Sequence, residues 1–242
     1  MAYKIALTAG HYMGTPGKRC WKEFDPNETR EWWLNDRIAD KVEKLLKGYT
    51  GYELIRTDDT TGAKDISLVA RTNAANNFGA NIYISIHHNA GINGGKGGGI
   101  VAIAYTKASA ESLAWQKDLY NELIAATGLK GNRSDPTPKL NLHEVRETNM
   151  PAVLLELGFM DSSTDVPVIL TEKFAGQCAA AIVKVLVRRG NLTAKPVVPA
   201  EPEKQYIYRV QVGAYSKRAG AETMLNQLRG AGFGGIIVKN EK

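Results

Sequence analysis

Three observations predict an α/β fold built on a largely parallel, twisted open sheet with helices on both faces. Short β-branched or alternating segments take turns with segments whose apolar residues recur at helical spacing, so the chain reads βαβ repeatedly. The last long helical segment runs into Lys195-Pro-Val-Val-Pro-Ala-Glu-Pro-Glu-Lys204, whose three prolines fix an extended, semi-rigid backbone. Beyond it, a short stretch repeats the strand–helix–strand order on a small scale. The expected layout is a large domain over 1–194, a linker over 195–204 and a small βαβ module over 205–242.

Each element has its own reason. Tyr3-Lys-Ile-Ala-Leu-Thr8 alternates apolar and polar residues before Gly10, which suits a strand end. From Glu31 to Leu46, the residues Leu34, Ile38, Val42, Leu45 and Leu46 fall on one helical stripe, with Gly48 as terminator. Tyr52–Arg56 reads as a second strand. Asp65 is the expected cap of a helix carrying Leu68, Val69, Ala75 and Phe78 and ended by Gly79. Strands are expected over 81–86, 99–105 and 151–155, and helices over 109–127 and 171–189. The C-terminal module reads as a strand over 206–212, a helix over 219–228 and a strand over 235–239. A lone βαβ of that size buries little core, so it must pack on the large domain or pair with a second copy.

Composition narrows the function. The chain has 242 residues, 43% hydrophobic and 23% charged, which is globular and excludes disorder throughout. No apolar run approaches the ~18 residues of a membrane span. Its opening residues show no basic region followed by a long apolar one, so synthesis in the cytoplasm without a signal peptide is expected. Cys20 and Cys178 make no disulfide framework and are expected to be reduced. The net charge is +6, yet residues 205–242 carry six Lys/Arg against two Asp/Glu. That excess fits either a solvated basic surface or an attachment module for something anionic or sugar-rich.

Sites in open α/β sheets gather at the carboxyl ends of the strands. There the sequence places Thr8-Ala-Gly-His11, Ser85-Ile-His-His-Asn89 and Leu154-Leu-Glu-Leu-Gly-Phe159, while Glu31 opens the first helix. Two imidazoles and a carboxylate form a familiar catalytic zinc set that leaves a fourth position for water. A further carboxylate is then needed to move the water proton. His11, Glu31 and His87 are the candidate ligands and Glu156 the candidate base. Singly, each histidine reads as a hydrogen-bonded core residue, and Glu31 as a first-turn carboxylate favoured by the helix dipole. Glu156 is harder to dismiss, because a glutamate in an apolar run is rarely buried without a partner. Gly94-Gly95 and Gly97 to Gly99 surround Lys96, but no Ser/Thr follows the lysine and no helix starts there. A flexible loop bordering a groove is expected instead of a phosphate cradle.

These segments, with the Glu31-Trp-Trp-Leu-Asn-Asp-Arg-Ile-Ala39 helix and Pro151-Ala-Val-Leu-Leu-Glu-Leu-Gly-Phe159, stand in an order that resembles a known family. It is that of the zinc-dependent N-acetylmuramoyl-L-alanine amidases of bacterial autolysins and phage endolysins, the amidase-3 class, and the resemblance covers about 1–190. It implies one Zn²⁺ held by His11, Glu31 and His87, with Glu156 as catalytic base and acid. Glu23 and Glu28 lie near enough in sequence to compete with Glu31, which is preferred because it opens the helix. The family's usual Gly-His-Gly is replaced here by Gly-His-Tyr-Met-Gly, so the loop after the first ligand differs. His88 is expected on the opposite strand face, Asn89 in a supporting role, and His143 either along the cleft or on a loop, with Arg146 a further candidate for substrate contact or support.

The implied activity is cleavage of the amide between N-acetylmuramic acid and L-alanine in peptidoglycan, after release by a holin or by cell lysis. No nucleic-acid partner is implied. Rival readings are a non-catalytic wall-binding protein and a zinc peptidase or carboxypeptidase acting on the stem peptide. The segment Tyr208-Arg-Val-Gln-Val-Gly-Ala-Tyr-Ser216 is similar to the opening of a sporulation-related (SPOR) repeat, a peptidoglycan-binding module. Tyr208, Gln211 and Tyr215 are its candidate wall contacts. Only half of such a domain is evident, so a homodimer completing the sheet is a further expectation.

Overall fold

A computed structural model describes residues 1–196 and 210–239. The chain divides between Pro196 and Val197 into two compact units. The first carries β1 (Tyr3–Ala9), α1 (Glu31–Leu46), β2 (Tyr49–Thr50), β3 (Tyr52–Arg56), α2 (Leu68–Phe78), β4 (Ile82–Asn89) and β5 (Ile100–Tyr105). It continues with α3 (Ala110–Thr127), β6 (Lys139–Leu140), α4 (His143–Arg146), β7 (Ala152–Phe159), α5 (Val166–Ile169), α6 (Glu172–Gly190) and β8 (Thr193–Ala194). The second carries α7 (Arg218–Gly230).

Six strands form one sheet in the order β3-β1-β4-β7-β5-β6. Every pairing is parallel except β5 with β7, which is antiparallel. The predicted doubly covered sheet is thus present, and period-two alternation feeds a core on each side. Ile5, Leu7, Ile82, Ile84, Ile86, Val153 and Leu155 face one core with α1, α3 and α6. Ala6, Tyr83, Leu154 and Val145 face the other, beside α2 and α4.

Several local expectations need correction. The α2 cap is Ser67, whose hydroxyl accepts from the Ala70 N–H at 3.2 Å, and not Asp65. Both residue types cap helices, and the one adjoining the first helical turn does so here. β4 and β7 run three and four residues past their expected ends, to Asn89 and Phe159, because the polar strand-end residues stay in the ladder. The glycine loop before β5 is pinned rather than flexible. Asp161 Oδ2 accepts from Gly91, Ile92 and Asn93, each at 2.8 Å, and Asp165 Oδ2 accepts from Gly99 at 2.7 Å. Gly99 is required there: its φ is +78°, and a Cβ would lie 2.5 Å from the Gly131 backbone nitrogen.

In the second unit, residues 210–212 and 235–239 are not in strands, so among the described residues only the helix of the expected βαβ is present. Most of the expected linker, and Tyr206 and Tyr208 of the expected strand, lie outside the described residues. Cys20 and Cys178 are free and buried. Among the described residues no helix is long and apolar enough to cross a membrane.

Candidate active site

The predicted convergence occurs at the carboxyl edge of β1, β4 and β7. Gly10 ends β1 and donates its N–H to Ile86 O at 2.8 Å, which draws the chain against β4. A Cβ on Gly10 would stand 2.1–2.4 Å from three atoms of the His87 ring, so only glycine lets the backbone pass. His11 follows with φ +66°, in the left-handed region that a non-glycine residue seldom occupies. Arg71, buried on α2, holds this turn by donating to Thr8 Oγ1 at 3.0 Å, Ala9 O at 2.6 Å and His11 O at 2.8 Å. The Tyr12-Met13 departure is tied down as well: Met13 N donates to Gly62 O and Met13 O accepts from Arg30 Nε at 2.8 Å.

Glu31, buried at the first position of α1, supplies the shared centre. Its Oε1 lies 3.3 Å from His11 Nε2 and 3.2 Å from His87 Nδ1. Donor atoms of His11, Glu31 and His87 all lie within 4.8 Å of one another. Glu31 Oε2 is buried without a hydrogen-bond partner, with Lys18 Nζ 3.6 Å away. Neither Glu23 nor Glu28 joins the cluster; Glu28 pairs with Arg19 at 2.7 Å.

Charge in the cluster is coupled to burial. Burial disfavours the His87 cation, but the carboxylates of Glu144 and Glu31 on its two ring nitrogens outweigh it and raise the pKa to about 10. Glu31, although buried, is held well below the usual carboxylate range by hydrogen bonds from His11 and His87. The cluster therefore calls for positive charge at its centre. A His₂Glu donor set, an orphaned carboxylate oxygen and this demand for positive charge together fit a divalent zinc ion.

Glu156 sits on β7 directly across from His87 in the β4–β7 ladder. Its Oε2 is buried without a partner. Burial raises its pKa to about 7, a little relieved by the His87 cation and further raised by Glu31. A carboxyl that titrates near neutrality is suited to both accepting and returning a proton.

The remaining predicted residues fall at differing distances from this centre. His88 lies on the α1 side, where its Nδ1 meets Asn35 Oδ1 at 2.7 Å, and burial lowers its pKa to about 3, so it is neutral. The register irregularity after His87 turns the His88 backbone N–H onto Glu31 Oε1 at 3.2 Å. Asn89 Oδ1 accepts from the adjacent Ala90 N–H at 2.8 Å. His143 Nε2 contacts Thr72 Oγ1 at 3.3 Å. Arg146 engages Asn141 and Glu147. In the second unit Gln211 donates to Gly213 O, and the Tyr215 ring lies against Gly213 and Gly220; Tyr208 is outside the described residues. Three residues were missed by sequence reasoning: Arg71, Asn35 and Glu144. Asn35 spans the site, its Nδ2 donating to Gly10 O at 3.1 Å and to Glu31 Oε1 at 3.5 Å. Their only sequence signal is a polar residue within a helix, which is ordinarily a solvated one.

Fold and site together define an α/β protein with a His-Glu-His cluster that could hold a metal ion and an adjacent glutamate at the sheet's carboxyl edge. Comparison with known proteins gives the family. Residues 5–188 match the N-acetylmuramoyl-L-alanine amidase family (Amidase_3), and the chain belongs to it. Residues 188–242 match the SPOR domain. The chain is 31% identical over 238 residues to a sporulation-specific N-acetylmuramoyl-L-alanine amidase of Bacillus subtilis, covering 97% of this chain and 84% of the relative. It is 31% identical over 196 residues to the amidase CwlM of Bacillus licheniformis, covering 80% and 70%. Among solved structures, an N-acetylmuramoyl-L-alanine amidase from Clostridium difficile superposes with a TM-score of 0.69 at 27% identity, covering 78% of this chain and 97% of that one. The CwlV catalytic domain of Paenibacillus polymyxa gives 0.67 at 26% identity, covering 78% and 98%.

Proposed function

We propose that the first unit hydrolyses the amide between N-acetylmuramic acid and L-alanine in peptidoglycan, using one zinc ion on His11, Glu31 and His87 and Glu156 as base and then acid. The observation that carries this reading is the meeting of those three donors within 4.8 Å, with Glu156 directly across from His87 on the neighbouring strand. Bound zinc would supply Lewis acidity toward the scissile carbonyl and toward water. Glu156 takes the proton from the attacking water and returns it to the departing alanine amine. Its neutral-range pKa supports both halves of that transfer.

The test is digestion of purified peptidoglycan with metal analysis of the enzyme. The expected products are new L-alanine amines without new reducing ends, from a protein holding one zinc. New termini inside the stem peptide would favour a peptidase, and no products with no zinc would favour a wall-binding protein. Glu156→Gln is expected to keep zinc and lose activity by about 10²–10⁴-fold; full lytic activity in that variant overturns the assignment.

The second unit is read as the attachment module, on the basis of its SPOR match and basic excess. Its Val210, Val212, Phe233, Ile236 and Val238 are exposed, which supports pairing of two copies. Light scattering is expected to show twice the 26.4 kDa chain mass. A monomeric mass with wall binding intact removes the homodimer.

A further inference from the structure

Side chains at alternate positions of a strand share one face. On β4 these are Tyr83, Ser85 and His87, and all three converge on one buried carboxylate, that of Glu144 in the single turn α4. Tyr83 OH donates to Glu144 Oε1 at 2.6 Å. Ser85 Oγ donates to Glu144 Oε2 at 3.3 Å. His87 Nε2 lies 3.4 Å from the same Oε2. Glu144 is only 4% exposed, and burying an ionised carboxyl is costly unless it is paired and hydrogen-bonded. Anchoring α4 alone would account for Tyr83 and Ser85, but not for the contact with the imidazole.

The two ring nitrogens of His87 face different carboxylates. Nδ1 faces Glu31 Oε1 and, beyond it, His11 Nε2. Nε2 faces away from that centre, toward Glu144. A neutral imidazole has one donor nitrogen and one acceptor nitrogen. We infer that Glu144 is a positioning residue for the metal centre: it accepts the Nε2–H of His87, fixes that tautomer and turns the Nδ1 lone pair toward the cation. A carboxylate behind a metal-bound histidine orients the ring and raises its basicity, and losing it typically costs 10–100-fold in metal affinity. The inference rests on the zinc reading above and adds to it a third carboxyl group and a choice of ligating nitrogen.

Zinc affinity of the full-length chain, measured by competition with a chelator, tests it. Glu144→Gln retains the shape and one acceptor oxygen, and is expected to weaken zinc binding about 10–100-fold while leaving the unfolding midpoint of zinc-free protein near wild type. A purely structural role would shift the midpoint and leave affinity unchanged. Long-range ¹H–¹⁵N correlation on zinc-loaded wild type gives a second readout that needs no variant: His87 is expected with its proton on Nε2 and metal on Nδ1. Equal zinc affinity in wild type and Glu144→Gln, or metal on Nε2, overturns the inference and leaves the amidase reading standing. A wild-type chain that takes up no zinc overturns both.

Discussion

The two halves of the centre are held in opposite ways. His87 and Glu156 belong to the sheet: they face each other across a parallel ladder, with His87 and the Oε2 of Glu156 buried. His11 belongs to a turn in left-handed backbone, more exposed than His87, and its position depends on hydrogen bonds from Arg71 to main-chain carbonyls. The strand half owes its geometry to the ladder and to close approach. The turn half owes its geometry to one cation on α2. Precision in such a site therefore has two sources, and each is open to a different kind of damage.

The largest expected effect comes from breaking the close approach. Gly10→Ala places a methyl inside the van der Waals envelope of the His87 ring. Zinc affinity is expected to fall about a thousandfold, ~4 kcal/mol, with modest change in circular dichroism. Chelator competition checks this, and near-normal affinity would mean that the ring can move aside.

Arg71→Met attacks the turn half. It leaves the carbonyls of Ile66, Ala9 and His11 and the Thr8 hydroxyl without their donor. Chemical denaturation is expected to show a loss of about 3 kcal/mol. If the halves are independent, the tautomer of zinc-bound His87 remains that of wild type.

The smallest expected effect concerns Glu156 in zinc-free protein. Its folded pKa of about 7 lies above the ordinary carboxyl value, so the folded state keeps the proton longer than the unfolded state. Wild type then loses stability from this group as pH rises from the unfolded pKa of ~4.3 to the folded one, and the loss is complete above it. Glu156→Gln carries no such dependence. Between pH 5 and pH 8 the variant should gain about 2 kcal/mol relative to wild type. Parallel denaturation curves at the two pH values would remove that sign.

The contrast also explains what could be read from the chain directly. His87 and Glu156 interrupt apolar strands, and an ionisable group inside such a run has few bland explanations. Glu31 was legible because it opens a strongly amphipathic helix. Glu144 was not, because His143-Glu-Val-Arg146 has the look of a solvated helical turn, and its burial depends on Tyr83 and Ser85, some sixty residues away in sequence. The glycine loop was misjudged for a related reason. Its stiffness comes from Asp161 and Asp165, and local glycine content carries no trace of them. The overextended ends of β4 and β7 show a bias of another kind: polar residues at a strand end suggest a loop, yet here they continue the ladder.

That ladder has a consequence for how the chain tolerates change. His87 and Glu156 face each other on adjacent strands, so their backbone separation is a property of the parallel sheet, with strands ~4.8 Å apart. Within the long connection between them, β5 pairs with β7 and α4 carries Glu144, so only the segments outside those two elements can change length without altering that spacing. An insertion in those segments would leave the distance between His87 and Glu156 unchanged.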